Sequence, residues 1–345
     1  MKRNCDAIKR RPLTRKYKIY FLILITGWLL QNSNASAQDH CICTDVPPPK
    51  RFEPLNINLL TAAEYRSPKL LINAGKDQLP QKRALAVRKI SEMRRPDYFD
   101  FLKAAISDED CQVRLEAVRG IASIGGDKAE QTIIGTLNDP SCFVREEAAY
   151  QLSGFSSASS RDALIASTKD PVGNVVRQAI LSLRHFKDAS LVPMFTGLLN
   201  DLNKNVRTAA IESLSAFHGD SIAKLIIPFL KDPSEHVRQA AAYACMHYSP
   251  DIVLQPLYDV FDSEDKDKNV LLGAIESVMK VGNKSSLPYL VKASGDSSGV
   301  VRQMSVKALG VLGDETVIPV LKKALSDDNK FVREQARYAL TNRPF

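Results

Sequence analysis

The chain has 345 residues, of which 44% are hydrophobic and 25% charged, proportions ordinary for a soluble protein. Its formal net charge is +8, but eight of the 47 Lys/Arg and one of the 39 acids, Asp6, lie within residues 1–37, leaving 39 bases and 38 acids beyond them. That near-neutral remainder excludes a bulk electrostatic footprint for nucleic acid.

Residues 1–37 read as a targeting device. Lys2, Arg3, Lys9, Arg10, Arg11, Arg15, Lys16 and Lys18 form a basic region, Ile19 to Leu30 an apolar run of 12 residues, and Ala35-Ser36-Ala37 a small-x-small cleavage site. This is the plan of a secretory signal peptide cut after Ala37, and the run is short against the about 20 residues of a bilayer span. The chain is therefore expected to be secreted or periplasmic, with no stable membrane span after cleavage; an uncleaved N-terminal anchor is the alternative.

Residues 38–56 form a leader with Gln38-Asp39-His40-Cys41-Ile42-Cys43 followed by Pro47-Pro48-Pro49. A third-position His40 behind a free amine could wrap copper(II) or nickel(II), with Cys41 and Cys43 as soft ligands. Against that stands a Pro-stiffened leader whose cysteines form a disulfide or a spare thiol pair. The other cysteines beyond residue 37 are Cys111, Cys142 and Cys245. Cys245 fills a column otherwise held by Leu, Ile or Val and reads as a buried hydrophobe. Cys111 and Cys142 share one register in neighbouring repeats, where a spacing near ~10 Å argues against a direct bridge.

Residues 57–345 repeat. Asp77, Asp108, Asp139, Asp170, Asp201, Asp232, Asp265, Asp296 and Asp327 recur at 31 residues, with one step of 33. A period of this size marks stacked repeats. Five places on stand Val113, Val144, Val175, Val206, Val237, Val270, Val301 and Val332; then Arg83, Arg114, Arg145, Arg207, Arg238, Arg302 and Arg333, with Val176 and Leu271 as exceptions. Three further on is a small residue, from Ala86 to Ala336, and four beyond that an aliphatic one. Taking the Arg position as zero, apolar residues at −1, +3, +4 and +7 have the 3.6-residue period of an amphipathic helix. A shorter helix precedes each Asp, as at residues 191–199, 222–230 and 317–325. Pro193, Pro256, Pro288 and Pro319 share a register there that marks an early turn or a kink. Gly125, Gly282, Gly313 and Asn283 punctuate the return. A lone αα-hairpin cannot bury its apolar face, so hairpins must stack. The Asp and Arg columns read as architecture: the Asp accepts from free N–H groups before a helix, and the Arg bridges to the Asp of an adjacent repeat.

The string Asp-x-x-x-x-Val-Arg-x-x-Ala-x-x-x-Leu, seen at Asp232, Val237, Arg238 and Ala241 and again at Asp327, Val332, Arg333 and Ala336, resembles the HEAT-like repeat of the phycobilisome-lyase type over roughly residues 60–345. The resemblance implies an all-α fold, a right-handed α-α superhelix of about nine 31-residue two-helix repeats, with the second helices lining the concave side. It is compatible with scaffolds, bilin lyases and deoxyhypusine hydroxylase alike. The His-Glu pairs with which that hydroxylase binds iron do not occur here, and His185 and His247, two repeats apart, are too distant to share a metal. The acidic stretch 262–267 lacks the residue order of a calcium loop and reads as a solvated insertion.

No nucleophile set, phosphate loop or cofactor motif stands out, and no catalytic residue or cofactor is expected. On the second helices, +5 and neighbouring positions point away from the apolar stripe: Arg88, Arg119, Tyr150, Leu181, Glu212, Tyr243, Glu276, Lys307 and Tyr338, joined by Met246, Leu272 and Met279. They describe a face basic at its N-terminal end and mixed apolar and acidic at its centre. Tyr, Arg and Met are typical of binding surfaces. The expected function is a non-enzymatic scaffold binding a protein or peptide partner; the alternatives are an enzyme or enzyme subunit of the lyase or hydroxylase type, and a structural part of an envelope assembly.

Overall fold

A computed structural model describes residues 55–263 and 267–342. Among these residues the secondary structure is helical, with turns between. A short α1 (Ala62–Arg66) precedes nine two-helix units. They are α2 (Pro68–Ala74) with α3 (Pro80–Ser91), α4 (Phe99–Ala105) with α5 (Cys111–Ile124), α6 (Asp127–Thr136) with α7 (Cys142–Leu152), and α8 (Ala158–Ser167) with α9 (Gly173–Leu183). Then come α10 (Val192–Leu198) with α11 (Lys204–Leu214), α12 (Asp220–Ile226) with α13 (Glu235–Ala244), and α14 (Pro250–Asp262) with α15 (Lys268–Val281). The last units are α16 (Leu287–Ala293) with α17 (Gly299–Leu312) and α18 (Ile318–Ala324) with α19 (Lys330–Thr341). The first helix of each pair is called A, the second B.

The periodic columns form the core. From Val113 to Val332 the valines are buried, and so is the whole small column from Ala86 to Ala336, Ser305 included. The aliphatic column follows from Ile90 to Leu309, with Cys245 buried among its Leu, Ile and Val counterparts, and ends on a half-buried Leu340. The result is one continuous apolar layer shared by successive hairpins rather than nine separate cores.

Each B helix packs directly on the B helix of the next repeat, whereas neighbouring A helices meet sparsely. The tighter layer is the inner side of a curved stack, so the B helices line the concave face. Small residues at +6 permit this approach. Ser277 Oγ donates to the Ala242 carbonyl at 2.5 Å across α15 and α13. A Cβ on Gly310 would stand 2.7 Å from the Ala339 Cβ, closer than real Cβ atoms come. Helix starts are capped locally: Asp110 accepts from the N–H groups of Gln112 and Val113, and Asp267 does the same for Asn269 and Val270.

The A helices depart from expectation. They are shorter than the periodicity suggests because a 3₁₀ turn leads into several of them, at Pro96–Tyr98, Ala189–Leu191, Lys284–Ser286 and Glu315–Val317. Pro193, Pro288 and Pro319 then occupy the first α-helical turn, where the missing N–H costs nothing. Pro256 alone lies inside its helix, α14. In the sixth repeat α12 ends early and passes into a 3₁₀ segment, Ile227–Lys231, containing Pro228. Among the anticipated return glycines only Gly125 uses a positive φ, 73°, followed by Gly126 at 82°. Gly282 and Gly313 are extended, a conformation open to any residue.

Candidate functional site

Two polar systems stand out on the stack. The first is the Asp–Arg ladder. Arg114 grips Asp139 of the next repeat with two parallel bonds of 2.7 and 2.8 Å, while its third nitrogen donates to the Asp108 carbonyl at 2.9 Å. Arg83–Asp108, Arg145–Asp170, Arg207–Asp232 and Arg302–Asp327 repeat the bidentate geometry. Arg238 and Arg333 make the carbonyl bonds, to Asp232 and Asp327. Each ladder aspartate among the described residues also accepts the N–H two residues on, as Asp139 does from Ser141 at 2.8 Å and Asp296 from Ser298 at 2.7 Å. Asp77 and Asp201 accept likewise from Leu79 and Asn203. The Asp thus closes the turn before the B helix, while the residue after that turn serves as the helix cap. Its environment suits the charged form. Burial raises the Asp232 pKa, but the Arg207 fork and the Ser234 N–H outweigh it and leave the carboxyl below its ordinary value. Arg302 lowers Asp327 in the same way. Consuming both partners in folding, this ladder holds the stack rather than a ligand.

The second system lies on the concave face. Arg88 of α3 reaches Glu116 of α5 at 2.6 Å, and Arg119 of α5 reaches Glu147 of α7 at 2.8 Å while touching Glu116 at 3.3 Å. Glu116 is buried. The N-terminal end of this face is therefore not the basic patch expected from its arginines, because two acids neutralise them. Sequence reasoning missed Glu116 and Glu147. Their signal was an Arg-to-Glu spacing of 28 residues, which in this register occurs only at Arg88/Glu116 and Arg119/Glu147, too few to show as a column.

Further along, the expected residues divide by exposure. Tyr150 and Tyr338 project into solvent, 56% and 65% exposed. Tyr150 and Arg119 border one cleft of about 320 Å³ with Glu146 and Gln178; Tyr338 and Lys307 border another of about 630 Å³ with Gln335 and Asn342. Leu181, Leu272 and Met279 are only half-exposed and lean on the core, and Met246 is half-exposed as well. The centre is less open than the sequence suggested. Tyr243, half-buried, has its phenol pKa raised by burial and then by Glu276.

The remaining candidates are mostly absorbed by structure. Cys111 and Cys142 are disulfide-bonded, and Cys245 is a buried free thiol pushed up to about 12 by desolvation. His247 is lowered by burial, then by Lys280 and His218. Asp262 pairs with Lys292 at 2.7 Å and Asp267 caps α15. Among the described residues no three His, Cys, Asp or Glu side chains converge as a metal site. The proposed His40, Cys41 and Cys43 ligands and the signal segment lie outside the described residues. A cleft of about 580 Å³ beside Pro228, Pro256 and Asp259 opens next to the 33-residue step and contains none of the concave-face residues.

A family model described as HEAT repeats matches residues 99–184, 192–267 and 263–341. Among solved structures, the Escherichia coli protein YibA is 22% identical, with a TM-score of 0.54 over 77% of this chain and 98% of that one. An engineered protein (16% identity, TM-score 0.45, 84% and 92% coverage) and human deoxyhypusine hydroxylase in complex with glycerol (17%, 0.33, 81% and 96%) are more distant. These likenesses concern the fold. No curated protein matches the chain.

Proposed function

The chain belongs to the HEAT-repeat family, and from that premise we propose that it is an exported, non-enzymatic scaffold holding a protein or peptide partner along its B-helix face. The observation that carries this reading is the placing of the exposed aromatics. Tyr150 and Tyr338 each stand in a cleft between successive B helices with a cation at its rim, Arg119 or Lys307. A tyrosine offers a large rigid surface and a polar tip at small entropic cost, and arginine beside it is the usual company at binding hot spots. Export is supported by the basic and apolar N-terminal pattern and by disulfide bonds at Cys111 and Cys142, which persist in oxidising compartments. The finer kinship to the phycobilisome-lyase type rests on the Asp-Val-Arg-Ala string alone.

The test is affinity capture from the exported fraction of the native source, with wild type beside the triple variant Tyr150→Ala, Lys307→Ala, Tyr338→Ala. These side chains lie outside the core, so helicity by circular dichroism should be unchanged. A partner retained by wild type and lost at least tenfold in the variant supports the reading. Equal retention by both would show that the concave face is not the docking surface.

A further inference from the structure

We propose that the C-terminal end of the concave face is a groove for an amphipathic helix of a partner protein, its apolar side down and a carboxylate over Lys307. The inference rests on the B-helix face being the docking surface and names what that surface takes. Along a B helix, the positions two before the ladder arginine and two, five and nine after it lie within one stripe of the concave side. In α17 this stripe holds Val300, Met304, Lys307 and Val311, and in α19 Phe331, Gln335, Tyr338 and Asn342. Val300, Val311, Phe331 and Tyr338 are 51%, 62%, 59% and 65% exposed. In the second repeat the same stripe reads Gln112, Glu116, Arg119 and Ser123, and in the fifth Asn205, Ala209, Glu212 and Ala216. Exposed apolar side chains thus gather on two neighbouring helices, as on a surface kept open for a partner.

The two helices form a trough. A Cβ on Gly310 would meet the Ala339 Cβ at 2.7 Å, so small residues bring α17 and α19 together at its floor. Both line the cleft of about 630 Å³, with Lys307 and Val311 on one side and Gln335 and Tyr338 on the other. From Val300 to Val311 the stripe runs about 16 Å, three helical turns. A trough between two helices roughly 10 Å apart fits a third helix, which packs at a similar distance. Such a helix satisfies its own backbone groups. An extended chain would find none to pair with, because those of α17 and α19 are engaged in the helices' own bonds. Apolar residues at i, i+3 or i+4 and i+7 of the partner then supply the anchors.

Lys307 sets the charge of the occupant. It is the sole charged residue in the two stripes, it is exposed, and it makes no ion pair among the described residues. Lys330 nearby is already paired with Glu334 at 3.6 Å. A partner carboxylate above Lys307 gains a charge pair beside Val311 and Tyr338, whereas a partner lysine there meets a like charge. Glu276, at the same register one repeat earlier, marks where the apolar surface ends. A bilayer takes up an apolar side that projects from a molecule; this one lies on the inner side of the curve and suits a single helix.

The test is fluorescence anisotropy of the full chain with a fluorescein-labelled peptide of about 15 residues, leucines at helical spacing along one side and glutamates flanking them. Its lysine-for-glutamate counterpart and a version broken by a central proline are the comparisons. The glutamate peptide should bind, and the other two roughly tenfold more weakly. Val300→Ser with Phe331→Ser, both outside the core, should weaken binding about tenfold with helicity unchanged. Lys307→Glu should reverse the preference between the charged peptides, and Tyr150→Ala should leave binding as in wild type. No binding of the glutamate peptide, equal binding by the serine variant, equal binding of the proline version or no preference between charges would each overturn the proposal. So would a monomer–dimer equilibrium, or adsorption to phosphatidylglycerol vesicles, that the serine variant abolishes, since either assigns the patch to another occupant. A native partner lost by the triple variant in the capture experiment, from a chain that does not bind the glutamate peptide, leaves the docking face standing and removes this occupant alone.

Discussion

At the scale of single residues, the ladder aspartates are both bolts and titrating groups. Asp232 and Asp327 are held below their ordinary pKa by arginine forks. A carboxylate whose folded pKa is depressed contributes stability that is full above its unfolded pKa, near 3.9, and lost as pH falls through the folded value. The melting temperature should thus be flat from pH 7 to about 5 and fall steadily below about 4. Asp232→Asn should melt lower at pH 7 and lose part of that acid slope; an unchanged slope would assign the acid sensitivity elsewhere. Cys245 makes a contrasting case. Its thiol is buried and raised to about 12, so the thiolate is scarce and access is closed. Alkylation by iodoacetamide at pH 8 should leave Cys245 unmodified in native protein and label it fully in denaturant. Both residues were legible in sequence because each sits in a column: nine copies of the Asp position, and an aliphatic register around the cysteine. Glu116 and Glu147 were not legible, because an inter-repeat pair that occurs twice has no period.

At the scale of helices, the B layer is decided by small side chains. Gly310 on α17 faces Ala339 on α19 so closely that even a methyl meets the opposing Cβ at 2.7 Å. Gly310→Val must push the two helices apart or bend one of them, and overpacking of this kind costs about 1–3 kcal/mol. The variant should unfold at lower urea with native-like helicity, whereas a stability equal to wild type would mean the seam can yield freely. The B helices were readable from the 3.6-residue period because burial on one stripe repeats nine times. The A helices were read less well. Their α/3₁₀ boundary depends on where a proline removes an N–H and how the preceding turn feeds in, and the sequence shows the proline but not the turn. Pro256 illustrates the point: it shares a register with Pro193, Pro288 and Pro319 yet lies inside α14 rather than at its start.

At the scale of the whole molecule, each hairpin is held mainly by its neighbours, so stability is distributed as a chain of interfaces. The ladder makes those interfaces unequal. Val176 stands where the fourth repeat would supply an arginine to Asp201, and Leu271 where the seventh would supply one to Asp296. Each side of the fourth repeat is therefore different: Arg145 and Asp170 clamp it to the third, while toward the fifth it has no rung and is held by apolar packing, the more exposed Arg161–Asp188 ion pair at 3.0 Å and a Ser213 hydroxyl bond to the Ile180 carbonyl. Removing the clamp with Asp170→Asn leaves a largely covered guanidinium without its carboxylate, a loss of about 2 kcal/mol for a pair of this partial burial. Residues 158–183 would then be flanked by two seams without a rung. Their amide protection in native-state hydrogen exchange should fall by roughly 30-fold, the equivalent of that free energy, while residues 318–341, five repeats away, keep theirs. A uniform loss of protection from the first repeat to the last would mean that the stack opens as a single unit and that its rungs do not act locally.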